Sequence, residues 1–400
     1  MGVMAYAQRW GSFLGRYDHW RYMFAEWNKL VYLKSYRKYH NQGDLERSLH
    51  HGIRWLAHSI EHGNDAGSGT YYHHTGWTSA YPETTGYIIP SLLRYSKRKS
   101  APWSEEAEKS ALAAGQWLLS IQHSDGGWPG GYVHQSRPSV VFNTGQILRG
   151  LLALYDHSGA SAYKEAAGRA IHWIWNQLDE EGKFSKNDFM GAVRVYGTYV
   201  VAPILEWLPH FPEHKASWES HATRHLDWVI TQQSENFWFA NCDNTLHKNH
   251  APIIHTIAYT IDGLLDSGVM LQNENYINAA QNAAEVLAKT FLKNGLLHGR
   301  YDSKWKGSEA FIPTGGAQLA IVWHKLITQG ESTWAQAARD EMNTLLSVIA
   351  TNGARAQVDV AGALQGSFPM WGRYETFGLP NWATKYMVDS LMNGLNWDNE

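Results

Sequence analysis

Apolar residues recur along this chain at the spacing of one buried helical stripe, in blocks set apart by polar or glycine-bearing stretches. Between residues 84 and 98, Ile88, Ile89, Leu92, Leu93 and Tyr95 fall on such a stripe, which predicts a helix starting near Thr84. Just before it lies a polar, aromatic-rich loop, YYHHTGWTSAYPE. The same join of loop and helix returns down the chain.

First helices are predicted near Leu45, Ser104, Ser161, Lys215, Asn273 and Ser332, so successive starts are 59, 57, 54, 58 and 59 residues apart. Several share small residues followed by a tryptophan with an apolar neighbour, as in AAGQWLLSIQ (113–122) and RAIHWIWNQL (169–178). Second helices, richer in small and apolar residues, are predicted near Thr84, Asn143, Val195, Ile254, Thr314 and Asn381. Residues 16–40 add a lead-in helix carrying Trp20, Met23, Phe24, Trp27, Leu30, Val31 and Leu33.

Within a unit the loop is long, about 15 to 30 residues, whereas the links between units (HSGAS, LQNEN, QGES) are short and polar. Short links set antiparallel neighbours, and the long loops then emerge at one end. Six antiparallel hairpins bury their more apolar second helices as an inner ring, which is an all-α (α/α)6 toroid over residues 45–400 with residues 1–44 packed against it. That layout brings six inner-helix N-termini to one concavity, each with free N–H donors and roughly half a positive charge, so the concavity prefers anions.

Composition narrows the partners. A net charge of -3 from 34 basic and 37 acidic residues leaves no electrostatic footprint for nucleic acid or an anionic membrane. The lone Cys242 excludes an intramolecular disulfide framework and any site with several thiolate ligands. The opening MGVMAYAQRW lacks a signal-peptide pattern and no apolar stretch is long enough to span a bilayer, so a cytoplasmic protein is expected. No cofactor is implied, and the oligomeric state is left open. The 20 Trp, 21 Tyr and 21 His suit both a packed helical core and the stacking of sugars.

The loops hold the candidate chemistry. Loop one supplies His73, His74, Trp77, Tyr81 and Glu83, the last at a helix start where a carboxyl serves either the helix dipole or as a general acid. Loop two offers Trp128 and Tyr132 for stacking, His134 and Arg137 as polar contacts, and Asn143 and Gln146 at the helix entry. Loop three gives Arg194, Tyr196 and Tyr199. In loop four, His247, His250 and His255 match no zinc pattern; no metal is expected, and His255 is placed in the concavity with Tyr259 one turn below. Loop five combines Arg300, Tyr301, Asp302 and Lys304 within five residues. Loop six carries Trp371, Arg373, Tyr374 and Glu375, followed by Asn381, Trp382 and Lys385. Packing alone is the competing account of each ring, and capping that of each polar residue at a helix start. Arginine forks at Arg137, Arg194, Arg300 and Arg373, interleaved with Trp and Tyr, fit an acidic saccharide.

The stretch WLLSIQHSDGGW (117–128) resembles the glutamine-tryptophan repeat of terpenoid-cyclase toroids, whose acidic catalytic motifs are absent here. Through AYPETTGYIIPSLL (80–93), VVFNTGQILRGLLALY (140–155), HTIAYTIDGLL (255–265), GGAQLAIVW (315–323) and PNWATKY (380–386), the chain is similar to toroid proteins encoded with bacterial surface-polysaccharide enzymes. The architecture is shared with six-hairpin glycosidases, polysaccharide lyases and the C-terminal domain of glucuronyl C5-epimerases. YPETTGYIIPSLLRYS resembles the helix entry of that epimerase domain, and the resemblance implies roles for Tyr81, Glu83 and Tyr87.

The expected activity is removal of the C5 proton of a uronic acid, giving an epimerase or a lyase. Arg300 and Arg373 clamp the carboxylate, Tyr81, Glu83, His255 and Tyr301 are proton-transfer candidates, and Trp128, Trp371 and Trp382 stack. The alternative is a glycoside hydrolase using two of Glu83, Asp302 and Glu375. A non-catalytic saccharide-binding protein is the third reading.

Overall fold

Small and apolar residues at i, i+3 and i+4 make amphipathic helices here, and those buried on all sides make the inner ring. A computed structural model describes residues 3–15, 19–31, 40–62, 65–245, 248–327, 332–349 and 357–399. It holds fourteen α-helices among the described residues. The outer helices are α3 (Gln42–Glu61), α5 (Ser104–Ser120), α7 (Ser161–Trp175), α9 (Lys215–Thr231), α11 (Glu274–Asn294) and α13 (Ser332–Val348). The inner ones are α4 (Pro82–Ser96), α6 (Val141–Ser158), α8 (Thr198–Glu206), α10 (Ile254–Met270), α12 (Pro313–Ile327) and α14 (Asn381–Gly394). Each outer helix buries one stripe, as Ala107, Ala111, Ala114 and Leu118 do on α5, whereas Ile254 through Leu265 of α10 are all buried.

Each inner helix packs on the next, and α14 packs on α4, which closes the ring. The inner helices approach so closely that glycine is required at the contacts. A Cβ on Gly150 of α6 would lie 2.3 Å from the Gly86 carbonyl oxygen of α4, and one on Gly263 of α10 would lie 2.4 Å from the Thr198 carbonyl carbon. Two short antiparallel sheets pin the loops. One joins β1 (Tyr71–Tyr72) to β2 (Gly76–Trp77) and to β5 (Gly378–Leu379), so the first and last loops share a ladder. The other pairs β3 (Arg300–Tyr301) with β4 (Gly307–Ser308) in loop five.

Before the ring, the expected lead-in helix is α2 (His19–Val31), and a further helix, α1 (Val3–Leu14), precedes it. Both hold loop six. Phe13 stacks on Phe377 at 4.0 Å, the Tyr6 hydroxyl donates to the Trp371 carbonyl at 2.8 Å, and the buried Glu26 accepts from the Gln365 amide and the Met370 N–H at 2.5 and 2.9 Å. No helix among the described residues is long and apolar enough to cross a membrane.

Candidate active site

The N-terminal ends of α4, α6, α10 and α14 line a cavity of about 230 Å³. Tyr81, Glu83, Thr84 and Tyr87 enter it from the start of α4, Phe142 and Asn143 from α6, and His255, Thr256 and Tyr259 from α10. Loops two, three and four add Tyr132, Tyr196 and Asn244; loop six and α14 add Tyr374, Glu375 and Trp382. Pro82 at the first turn of α4 fixes the chain's entry, so Tyr81 stays extended and Glu83 turns inward. Asn381 anchors the neighbouring helix by donating to Ser68 Oγ and Thr84 Oγ1 at 2.7 and 2.9 Å.

The cavity wall is aromatic. Tyr81 meets Tyr132 edge-on at 5.3 Å, His255 sits 5.5 Å from Tyr259 and 5.3 Å from Tyr374, and the Trp382 indole N–H donates to the Tyr374 hydroxyl at 2.9 Å. Phenols packed this way are poor bases: burial pushes Tyr81, Tyr87, Tyr259 and Tyr374 well above the ordinary tyrosine range.

Two carboxyls face this wall. Burial pushes Glu83 up to about 8, with the Tyr81 hydroxyl pulling slightly the other way. At neutral pH that carboxyl is therefore held mainly in its protonated form. Glu375, with φ 46°, is also raised by burial, while a hydrogen bond from the Tyr72 hydroxyl and the nearby Arg9 favour its charged form. One acid is thus kept protonated, while the other has a donor arranged for its anion. His255 is pushed the opposite way, down to about 3, so its imidazole is neutral. Both its ring nitrogens and the Asn244 Oδ1 are buried with no hydrogen-bond partner, while the Asn143 amide lies against the Tyr81 hydroxyl. Buried polar atoms are almost always paired, so these orphans leave the cavity with hydrogen-bonding capacity for water or a ligand.

The other candidates fall elsewhere. Among the described residues, no arginine or lysine lines the cavity, and loop five contributes nothing to it. Arg300 is spoken for: its guanidinium lies 2.7 Å from Asp243 and 3.3 Å from Glu309, and it also donates to the Ala251 carbonyl. A cation already neutralised by two carboxylates is not a clamp for a third. Tyr301 is buried, its hydroxyl accepting from the His298 N–H, and burial raises it to about 12. Asp302 accepts from the N–H groups of Lys304 and Lys306 and so holds the β3–β4 turn, on which Lys304 is exposed.

Arg194 is buried beside Tyr196, and Arg137, His134 and Arg373 are exposed. Trp128 is fully buried with its indole N–H on the Leu118 carbonyl. His73 packs among Phe13, Tyr22 and Tyr71, and His74 against Tyr72. Trp77 packs on Trp55, and Trp371 meets Trp10 of α1. Gln146, Tyr199 and Lys385 lie deeper in the ring: Gln146 donates to the Tyr199 carbonyl, and Lys385 pairs with Asp389 at 2.9 Å. His250 is exposed, and His247 lies outside the described residues. Sequence reasoning missed Phe142, Asn244 and Thr256, which look like ordinary residues at helix starts and turns.

No protein-family model matches the sequence, and no curated protein matches it. Solved structures do match. An unsaturated glucuronyl hydrolase specific for heparin aligns over 90% of this chain and 99% of its own, with 14% identity and a TM-score of 0.68. The unsaturated glucuronyl hydrolase of Bacillus sp. GL1 aligns over 87% and 96%, with 12% identity and a TM-score of 0.66. An α-amylase from Clostridium perfringens aligns over 86% and 98%, with 12% identity and a TM-score of 0.60. At such identities the likeness is one of fold: the chain is an (α/α)6 toroid over nearly its whole length.

Proposed function

We propose that this chain is a carbohydrate-active enzyme, and specifically a glycoside hydrolase acting on a uronic-acid-containing saccharide. The observation that carries the reading is the pair of carboxyls, Glu83 and Glu375, lining one aromatic cavity. Glycosidic cleavage needs a proton donor for the leaving oxygen and a carboxylate to meet the developing cation or activate water. Glu83, protonated at neutral pH, is the donor; Glu375, oriented by Tyr72, is the second carboxylate. Tyr81, Tyr132 and Trp382 supply ring faces for the sugar, while Asn143, Asn244 and His255 supply its hydrogen bonds.

The cavity is smaller than the roughly 300–1,000 Å³ of drug-sized sites, so it takes the terminal ring of an oligosaccharide while the rest lies outward. A uronic carboxylate would be met by the N–H groups at the starts of α4, α6 and α10 in place of arginine. The names of the matching glucuronyl hydrolases support that substrate class.

Proton abstraction at C5, by an epimerase or lyase, is the weaker reading because the arginine clamp it needs is absent from the cavity lining and the phenols there are held too basic to ionise. Release of reducing ends from uronic-acid oligosaccharides by the wild type, and its loss in both Glu83→Gln and Glu375→Gln, is the expected result. Unchanged release in either variant would overturn the assignment.

A further inference from the structure

At the C-terminal end of α3, far along the helix from its Asn41 cap, His58 and His62 stand four residues apart and so share one face. Their rings lie 4.1 Å apart. Both Nε2 atoms approach the same oxygen, Asp359 Oδ1, at 2.9 and 3.6 Å, and the three donor atoms lie within 4.8 Å of one another. In a tetrahedral zinc site with bonds of about 2.0–2.2 Å, ligand atoms are separated by roughly 3.3 Å. The two separations from Asp359 bracket that spacing, so small side-chain rotations bring all three atoms to ligand distances.

Their surroundings agree. The Trp77 indole N–H donates to Asp359 Oδ1 at 2.9 Å, and the Trp55 indole N–H donates to the Asp359 carbonyl at 2.8 Å, which fixes the carboxylate's position from outside the cluster. The His58 side chain is only 14% exposed, whereas that of His62 is 42% exposed, leaving a solvent-facing side for entry and for a fourth ligand from water. Two imidazoles and one carboxylate suit a borderline ion such as Zn²⁺ and not the oxygen-seeking Mg²⁺ or Ca²⁺.

We infer that His58, His62 and Asp359 form a zinc-type metal site that ties the first hairpin to the segment leading into loop six. None of the three lines the cavity, so the role is to fasten the two ends of the ring and not to take part in sugar chemistry. The inference stands apart from the proposed hydrolase activity.

The test uses the full-length protein stripped with a chelator and titrated with Zn²⁺ by calorimetry, and with Co²⁺ by its visible absorption bands. One ion per chain should bind with a Kd of about 1 µM or tighter, and a hundred-fold excess over Kd should raise the melting temperature by about 3 °C. His62→Ala, which changes an exposed side chain, and Asp359→Asn, which keeps an acceptor for Trp77, should each weaken binding roughly 100-fold while leaving the circular dichroism unchanged. A stripped wild type that binds neither ion would overturn the inference and leave the cluster as a histidine–aspartate ion pair. Binding that persists undiminished in both variants would overturn it too.

Discussion

Glu83 is a carboxyl whose protonation is set by its surroundings, and this makes it both useful and costly. Its folded-state value of about 8 stands above the 4.5 expected in the unfolded chain. Between pH 4.5 and 7 the unfolded chain has released this proton and the folded chain has kept it, which costs the folded state roughly 3 kcal/mol at neutral pH. The penalty is absent below pH 4.5, grows as pH rises from there, and reaches its full size near pH 8. Glu83→Gln, which cannot ionise, should therefore raise the thermal midpoint at pH 7 by several degrees while lowering kcat by about 10²–10⁴-fold. As an acid that must hold its proton, Glu83 also predicts that kcat falls as pH rises through about 8. A pH–rate profile and a melting curve of the same variant check both statements. Glu83 was legible because it sits at a marked helix entry. The fate of Arg300 was not, since its partner Asp243 lies 57 residues away and nothing local signals the pair.

At the level of the elements, helix starts could be read to within a few residues because each begins where an apolar stripe begins. Pro82, Pro313 and Gly159, whose φ is 68°, mark ends and entries that any sequence shows. Helix α1 escaped notice because its packing partner, Phe377 in loop six, is remote in sequence. Together with α2 and the pairing of β5 with β1, it holds loop six in place. Glu26→Ala would leave the Gln365 amide and the Met370 N–H without their acceptor, a loss of about 2–4 kcal/mol. Because Glu375 lies on the same loop, activity should fall along with the melting temperature. Gly150→Val would push α6 off the Gly86 carbonyl of α4 and should destabilise the ring by more than about 3 kcal/mol in a denaturant titration.

On the scale of the whole molecule, the two ends of the inner ring differ in chemistry. Two to three turns along the inner helices from the aromatic cavity, Lys325 pairs with Asp262 and Asp266 at 2.7 Å and Arg149 with Glu206 at 3.7 Å, so ion pairs tie neighbouring inner helices there. The regular spacing of hairpins foretold the gathering of the inner-helix starts, because antiparallel packing sends every second helix the same way. It did not foretell that loop five turns aside or that none of the described arginines lines the cavity, since both depend on loop side chains and their distant partners.

The proposed reaction needs Glu83 and Glu375 together to cleave a glycosidic bond. Proton NMR of uronic-acid oligosaccharides incubated with the protein in heavy water tests it most directly. New reducing-end signals, no deuterium at C5 of the intact chain, and silence from Glu83→Gln are expected. Deuterium at C5, or a new 4,5-double bond in place of added water, would contradict it.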